Sequence, residues 1–145
     1  MYPMLTHAHS GIRWVVLGLL IYAIYNSFSK WRGNNVFEAG DRKINLFAMA
    51  ATHLQIILGF VLYTQSPKVM AGGDMSNSLV RFFTIEHMAY MLIAAVLITI
   101  GYAWSKRTSN EKMAKIAFWF YLFAFIIIMI GIPWPFREEL GGGWF

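Results

Sequence analysis

The segment from Thr84 to Trp104 is an almost unbroken apolar run that carries Glu86 and His87 in its first turn. A bilayer core about 30 Å thick needs roughly 20 helical residues rising about 1.5 Å each, and this run has that length. Ionisable groups in such a run are costly and are seldom placed there without a partner or a task. His87 therefore constrains the chain more than any other feature, and three further apolar runs accompany it.

The rest of the composition agrees. Hydrophobic residues make up 58% of the 145 and charged residues 13%, whereas a soluble domain carries about a quarter charged. Four apolar runs take up most of the length and leave no room for a second, soluble domain. The expected fold is all-α: one integral membrane four-helix bundle, domain 1–145, with helices at about 4–28, 44–64, 79–104 and 112–132. The net charge of +5 does not indicate nucleic acid, because the basic residues sit in short loops beside the apolar runs. The absence of cysteine excludes disulfides, thiolate-bound zinc, iron–sulfur clusters and covalent c-type haem. The N-terminus shows neither a basic n-region nor a small-residue cleavage site, so the first run is expected to stay as a helix.

Orientation follows from the loops. Lys30, Arg32, Arg42, Lys43, Lys106, Arg107, Lys112 and Lys115 flank two of them, against Arg13, Lys68, Arg81 and Arg137 on the opposite side. Cytoplasmic loops collect Lys and Arg, so both termini are expected outside, in the periplasm of a bacterial inner membrane. Trp31 and Trp104 then mark the inner boundary, and Trp14 and Trp134 the outer one.

Any chemistry rests on His7, His9, His53 and His87. Stepping back about 20 residues from Ser29 reaches His9, and the same step from Lys106 reaches Glu86 and His87. Those two imidazoles should lie at nearly equal depth near the outer face, while His53 should lie near the middle of its helix. His7 and His9 point to nearly opposite sides of one helix, so His7 reads as a solvated surface residue. A b-type haem in a bundle needs two imidazoles at similar depth on facing helices and a slot between them. His9 and His87 meet the depth requirement, and Gly11, Gly18, Ala89, Ala94 and Ala95 leave room. Arg13 or Arg81 would meet a haem propionate as a charge-assisted pair. His53 has several readings: a core histidine bonded to a carbonyl or Thr, a partner for His87 on a strongly tilted helix, the ligand of a second haem, or a quinone contact with Gln55. Glu86 and Arg81 read as an interfacial pair, Met88 and Met91 as packing surface. A zinc or copper site from His9, His87 and Glu86 ranks below haem. No phosphate-binding loop, nucleophile elbow or zincin motif is present.

Three stretches carry a family resemblance: His9-Ser-Gly-Ile-Arg-Trp14, Arg81-Phe-Phe-Thr-Ile-Glu-His-Met-Ala-Tyr90 and Ile132-Pro-Trp-Pro-Phe-Arg137. They resemble small bacterial four-helix membrane proteins labelled cytochrome b, over nearly the whole chain. More distantly, Thr52-His-Leu-Gln-Ile-Ile-Leu-Gly59 and Glu86-His-Met-Ala-Tyr90 are similar to the histidine helices of haem A synthase and related haem-binding bundles. That likeness implies non-covalent haem held by histidines at one membrane face. The chain departs from the haem A synthase pattern in having one four-helix unit and Met88 after His87, so a haem-modifying reaction is not implied. The expectation is an electron carrier or subunit rather than an independent enzyme. It would hold haem b, one or two, on iron ligands drawn from His9, His53 and His87, with Arg13 and Arg81 as propionate partners. Electrons would pass between quinol or a membrane partner and an acceptor, within a membrane complex or a homo-oligomer. The reading from another class is a haem-free accessory subunit of a larger respiratory or transport complex.

Overall fold

A computed structural model describes residues 2–70 and 74–144. Four long helices account for most of them: α1 (Tyr2–Arg32), α2 (Ala39–Gln65), α3 (Ser78–Ser105) and α4 (Asn110–Gly131). All four contain stretches long and apolar enough to cross a membrane. The chain is a multi-pass, all-helical bundle. The helices run up and down in chain order, α1 packing on α2 and α4, and α3 closely on α4 but more loosely on α2.

Small residues let the backbones approach. Ala23, Ala48, Ala94 and Ala124 are fully buried among Leu20, Ile98 and Tyr121. In a bilayer apolar burial alone does not drive helices together, so close packing and interhelical hydrogen bonds carry the association. Tyr121 donates its hydroxyl to the carbonyl of Asn45 at 2.7 Å, tying α4 to α2. The outward faces carry Ile21, Tyr25, Phe47, Ile57, Val96, Ile100, Phe123 and Ile130, all exposed. Apolar surface of that extent is unusual on a soluble monomer and natural against lipid.

Two of the helices begin or end beyond the apolar runs. α2 starts at Ala39, ahead of the expected boundary, because Asp41 organises a polar first turn. Its carboxylate accepts from the Glu38 backbone N–H at 2.7 Å and the Asn26 amide at 2.9 Å, and pairs with Lys30 at 3.2 Å. One side chain thus closes the α1–α2 corner. α1 likewise runs on through Lys30 and Arg32.

α3 is irregular at its start. Asn77 caps it by accepting from Leu79 and Val80, and Phe82–Glu86 then forms a π-helical turn before the regular helix from His87. The wider turn brings Arg81 and Glu86 within 2.8 Å, a spacing that a regular α-helix does not bring face to face. At the same end of the bundle lie the N-terminal turn of α1, the short helical turn Pro67–Met70 and the tail after Pro133. The tail forms a 3-10 turn, Glu138–Leu140, and leaves it through Gly141 at φ 54°. Glycine adopts that left-handed geometry without steric cost. Both termini therefore approach one end, and the basic loops occupy the other.

Candidate histidine site

His9 and His87 meet across the bundle. Their ring centres are 6.4 Å apart and the rings are inclined by 71°. The two residues come from α1 and α3, which sit diagonally, so the pair spans the interior. Both line a cavity of about 240 Å³ that opens toward the terminal end.

His87 is held rigidly. Its Nδ1 donates to the carbonyl of Gly131 on α4 at 2.7 Å, which leaves Nε2 as the nitrogen with a free lone pair. The rings of Phe82 and Phe83 lie 5.9 and 6.3 Å from it. The π turn supplies both phenylalanines, and such turns recur at functional sites. Gly131 permits the close approach, since a β-carbon there would fall 2.6 Å from Met91 and 2.8 Å from Tyr90.

His9 is held differently. Gln55 of α2 donates its amide to the His9 carbonyl at 2.7 Å, fixing the backbone and not the ring. The ring packs against Gly59, where a β-carbon would sit 3.2 Å from Cε1. Nδ1 of His9 and Oε1 of Gln55 are buried without a hydrogen-bond partner among the described residues. Orphaned buried polar atoms of this kind call for explanation.

The cavity is lined mainly by apolar side chains, among them Val16, Leu17, Ile56, Phe60, Met88, Met91 and Ile128. Two cations reach it, Arg13 and Lys68, and no acidic residue does among the described residues. Arg13 is buried and donates to the carbonyls of Gly143 and Trp144 at 3.2 and 2.8 Å. It also lies 5.5 and 5.8 Å from the ring centres of Trp14 and Trp134. Those two tryptophans cluster with Trp144. Lys68 lies over the Phe83 ring at 4.4 Å.

The remaining candidates are elsewhere. His53 faces α3, its Nδ1 2.9 Å from the Met49 carbonyl and its Nε2 3.1 Å from the Thr99 hydroxyl, and it does not line the cavity. Arg81 is occupied by Glu86 and by the Met75 carbonyl and stays on the surface. His7 is exposed. Lys68, Gly59 and Gly131 escaped the sequence reading. Lys68 had a usable signal, a basic residue in the loop beside the histidine end. The glycines had none, because their role is to be small where another chain segment comes close.

Two imidazoles bound on opposite sides of one metal ion at about 2 Å each have ring centres about 6 Å apart, close to the observed separation. No cluster of three or more metal-ligating side chains exists among the described residues. A bare zinc or copper ion draws three or four ligands from the protein, so this donor set does not suit one. Two histidines at this separation would be enough for a metal cofactor that brings most of its own donor atoms. The site thus defines a class: a membrane helical bundle with an inward-facing histidine pair over an apolar cavity. Comparison with known proteins adds no relative to it: no family model, curated protein or solved structure matches the chain.

Proposed function

We propose that the chain is a b-type membrane cytochrome of the small four-helix kind its sequence resembles, with haem held between His9 and His87. The observation that carries this reading is the imidazole pair, with ring centres 6.4 Å apart, in a mainly apolar cavity that Arg13 and Lys68 also line. Haem, when bound, supplies one-electron chemistry at iron. The chain's own residues do the rest. His87 offers Nε2 from a ring whose angle and tautomer the Gly131 carbonyl fixes. His9 offers the opposing imidazole. Arg13 and Lys68 are placed to pair with carboxylates, and Val16, Leu17, Ile56 and Ile128 keep water from the interior. Such a protein is an electron carrier or subunit, taking electrons from quinol or a membrane partner and passing them to an acceptor. On this reading it sits in a bacterial inner membrane with the histidine end outside, an orientation that the Lys- and Arg-rich loops at the other end support.

The test is an absorption spectrum of the purified, detergent-solubilised protein supplied with haem, oxidised and then reduced. A sharp reduced α-band at the b-type position with about one haem per chain is expected from bis-histidine ligation. His9→Ala and His87→Ala should each abolish the two-histidine α-band, and His53→Ala should leave it intact. A folded protein with no Soret band sinks the reading and favours a haem-free accessory subunit.

A further inference from the structure

The two histidines of the pair are not equivalent. His87 has an acceptor for Nδ1, the Gly131 carbonyl at 2.7 Å, and two phenylalanine rings against its faces. His9 has no acceptor: its Nδ1 is buried and unpartnered, and its ring rests on the bare backbone of Gly59. A ligating histidine normally donates its other N–H to a carbonyl, carboxylate or water, which orients the ring and strengthens it as a ligand. An imidazole that binds through Nε2 while Nδ1–H stays buried and unsatisfied is a weaker ligand. The orphaned Oε1 of Gln55 belongs to the residue that grips the His9 backbone and lines the same cavity. Among the described residues that line the cavity, the buried polar atoms without a partner, His9 Nδ1, Arg13 Nε and Gln55 Oε1, are all on α1 and α2, the His9 side.

Resting on the haem reading, we infer that His9 is the exchangeable member of the pair and that a neutral diatomic gas takes its place opposite His87. The exchange moves no proton and no electron: the imidazole leaves as a neutral base and the gas enters as a neutral ligand. The site would accordingly report or respond to such a gas, with His87 as the permanent anchor.

Carbon monoxide is the probe, added to the haem-loaded, reduced protein in detergent and followed by absorption and stopped-flow kinetics. The wild type should form an adduct at a rate that levels off as carbon monoxide rises, because departure of His9 limits it. In His9→Ala the rate should rise linearly, and the final spectrum should match the wild-type adduct, since His87 is opposite the gas in both. Gly59→Ala presses on the His9 ring while both histidines stay in the chain, and should raise apparent carbon monoxide affinity roughly fivefold to tenfold. It keeps the inference testable should His9→Ala fail to fold. A haem-loaded protein whose two-histidine spectrum is unchanged under saturating carbon monoxide overturns the inference alone. A haem-loaded His9→Ala protein whose rate still levels off as carbon monoxide rises does the same, because a group other than His9 then limits the exchange. A protein that takes up no haem overturns both this inference and the reading beneath it.

Discussion

Lys68 and Arg81 are two cations near the same end of the bundle, and only one is directed to the cavity. Arg81 gives its Nε to Glu86 at 2.8 Å on an exposed surface, and exposed pairs of this kind contribute little. Lys68 lies on the Phe83 ring and at the cavity wall, where a ligand carboxylate would find it partly desolvated. Lys68→Ala should therefore weaken haem binding by about 1 kcal/mol, roughly fivefold. Arg81→Ala should leave it unchanged within error. Titration of haem into apoprotein checks both, and equal losses would show that position in the bundle, not net charge, has been misjudged. Counting along the helices reached His9 and His87, because depth is a property of sequence position. It could not separate Lys68 from Arg81, whose difference lies in a π turn and an ion pair. His53 was legible as a polar group near the middle of an apolar run, and its ring nitrogens lie 2.9 Å from the Met49 carbonyl and 3.1 Å from the Thr99 hydroxyl.

At the scale of elements, the long helices follow from apolar runs, and their ends do not. The first turn of α2 reads as loop because Asp41, Arg42 and Lys43 are charged, yet Asp41 is the residue that caps it and joins it to α1. Hydropathy reports where hydrocarbon is met and says nothing of where hydrogen bonding stops. Asp41→Ala removes a cap bond, a bond to Asn26 and a half-buried pair with Lys30. It should destabilise the protein by about 1–2 kcal/mol, seen as a lower unfolding midpoint in detergent, with the haem spectrum retained because the corner is at the opposite end from the histidines. An unchanged midpoint would mean that the corner is held by packing of Phe37, Ala114 and Ala117 instead. The π turn at Phe82–Glu86 left no trace in the sequence: it is set by backbone bonding and by Tyr63, whose hydroxyl donates to the Thr84 carbonyl at 3.3 Å.

For the whole molecule, the two ends differ in kind. One collects the histidine pair, the tail and the Trp14, Trp134 and Trp144 cluster. The other collects eight basic residues around two loops. Of the four cations counted against those eight, Arg13 is buried within the bundle and is no loop charge, so the contrast in the loops is eight to three. Short loops rich in Lys and Arg favour the cytoplasmic side, and the proposed orientation, with the histidine pair toward the outer side, rests on that contrast. The chain has no cysteine, so single introduced thiols report the orientation directly. Ser76→Cys, in the exposed turn before α3, should react with a membrane-impermeant maleimide on intact cells. Ser109→Cys, exposed ahead of α4, should react only after the membrane is opened. The reverse pattern would put the histidine pair on the cytoplasmic side and require an electron acceptor there. Labelling of both sites in intact cells would mean that the charge difference does not hold the chain in one orientation.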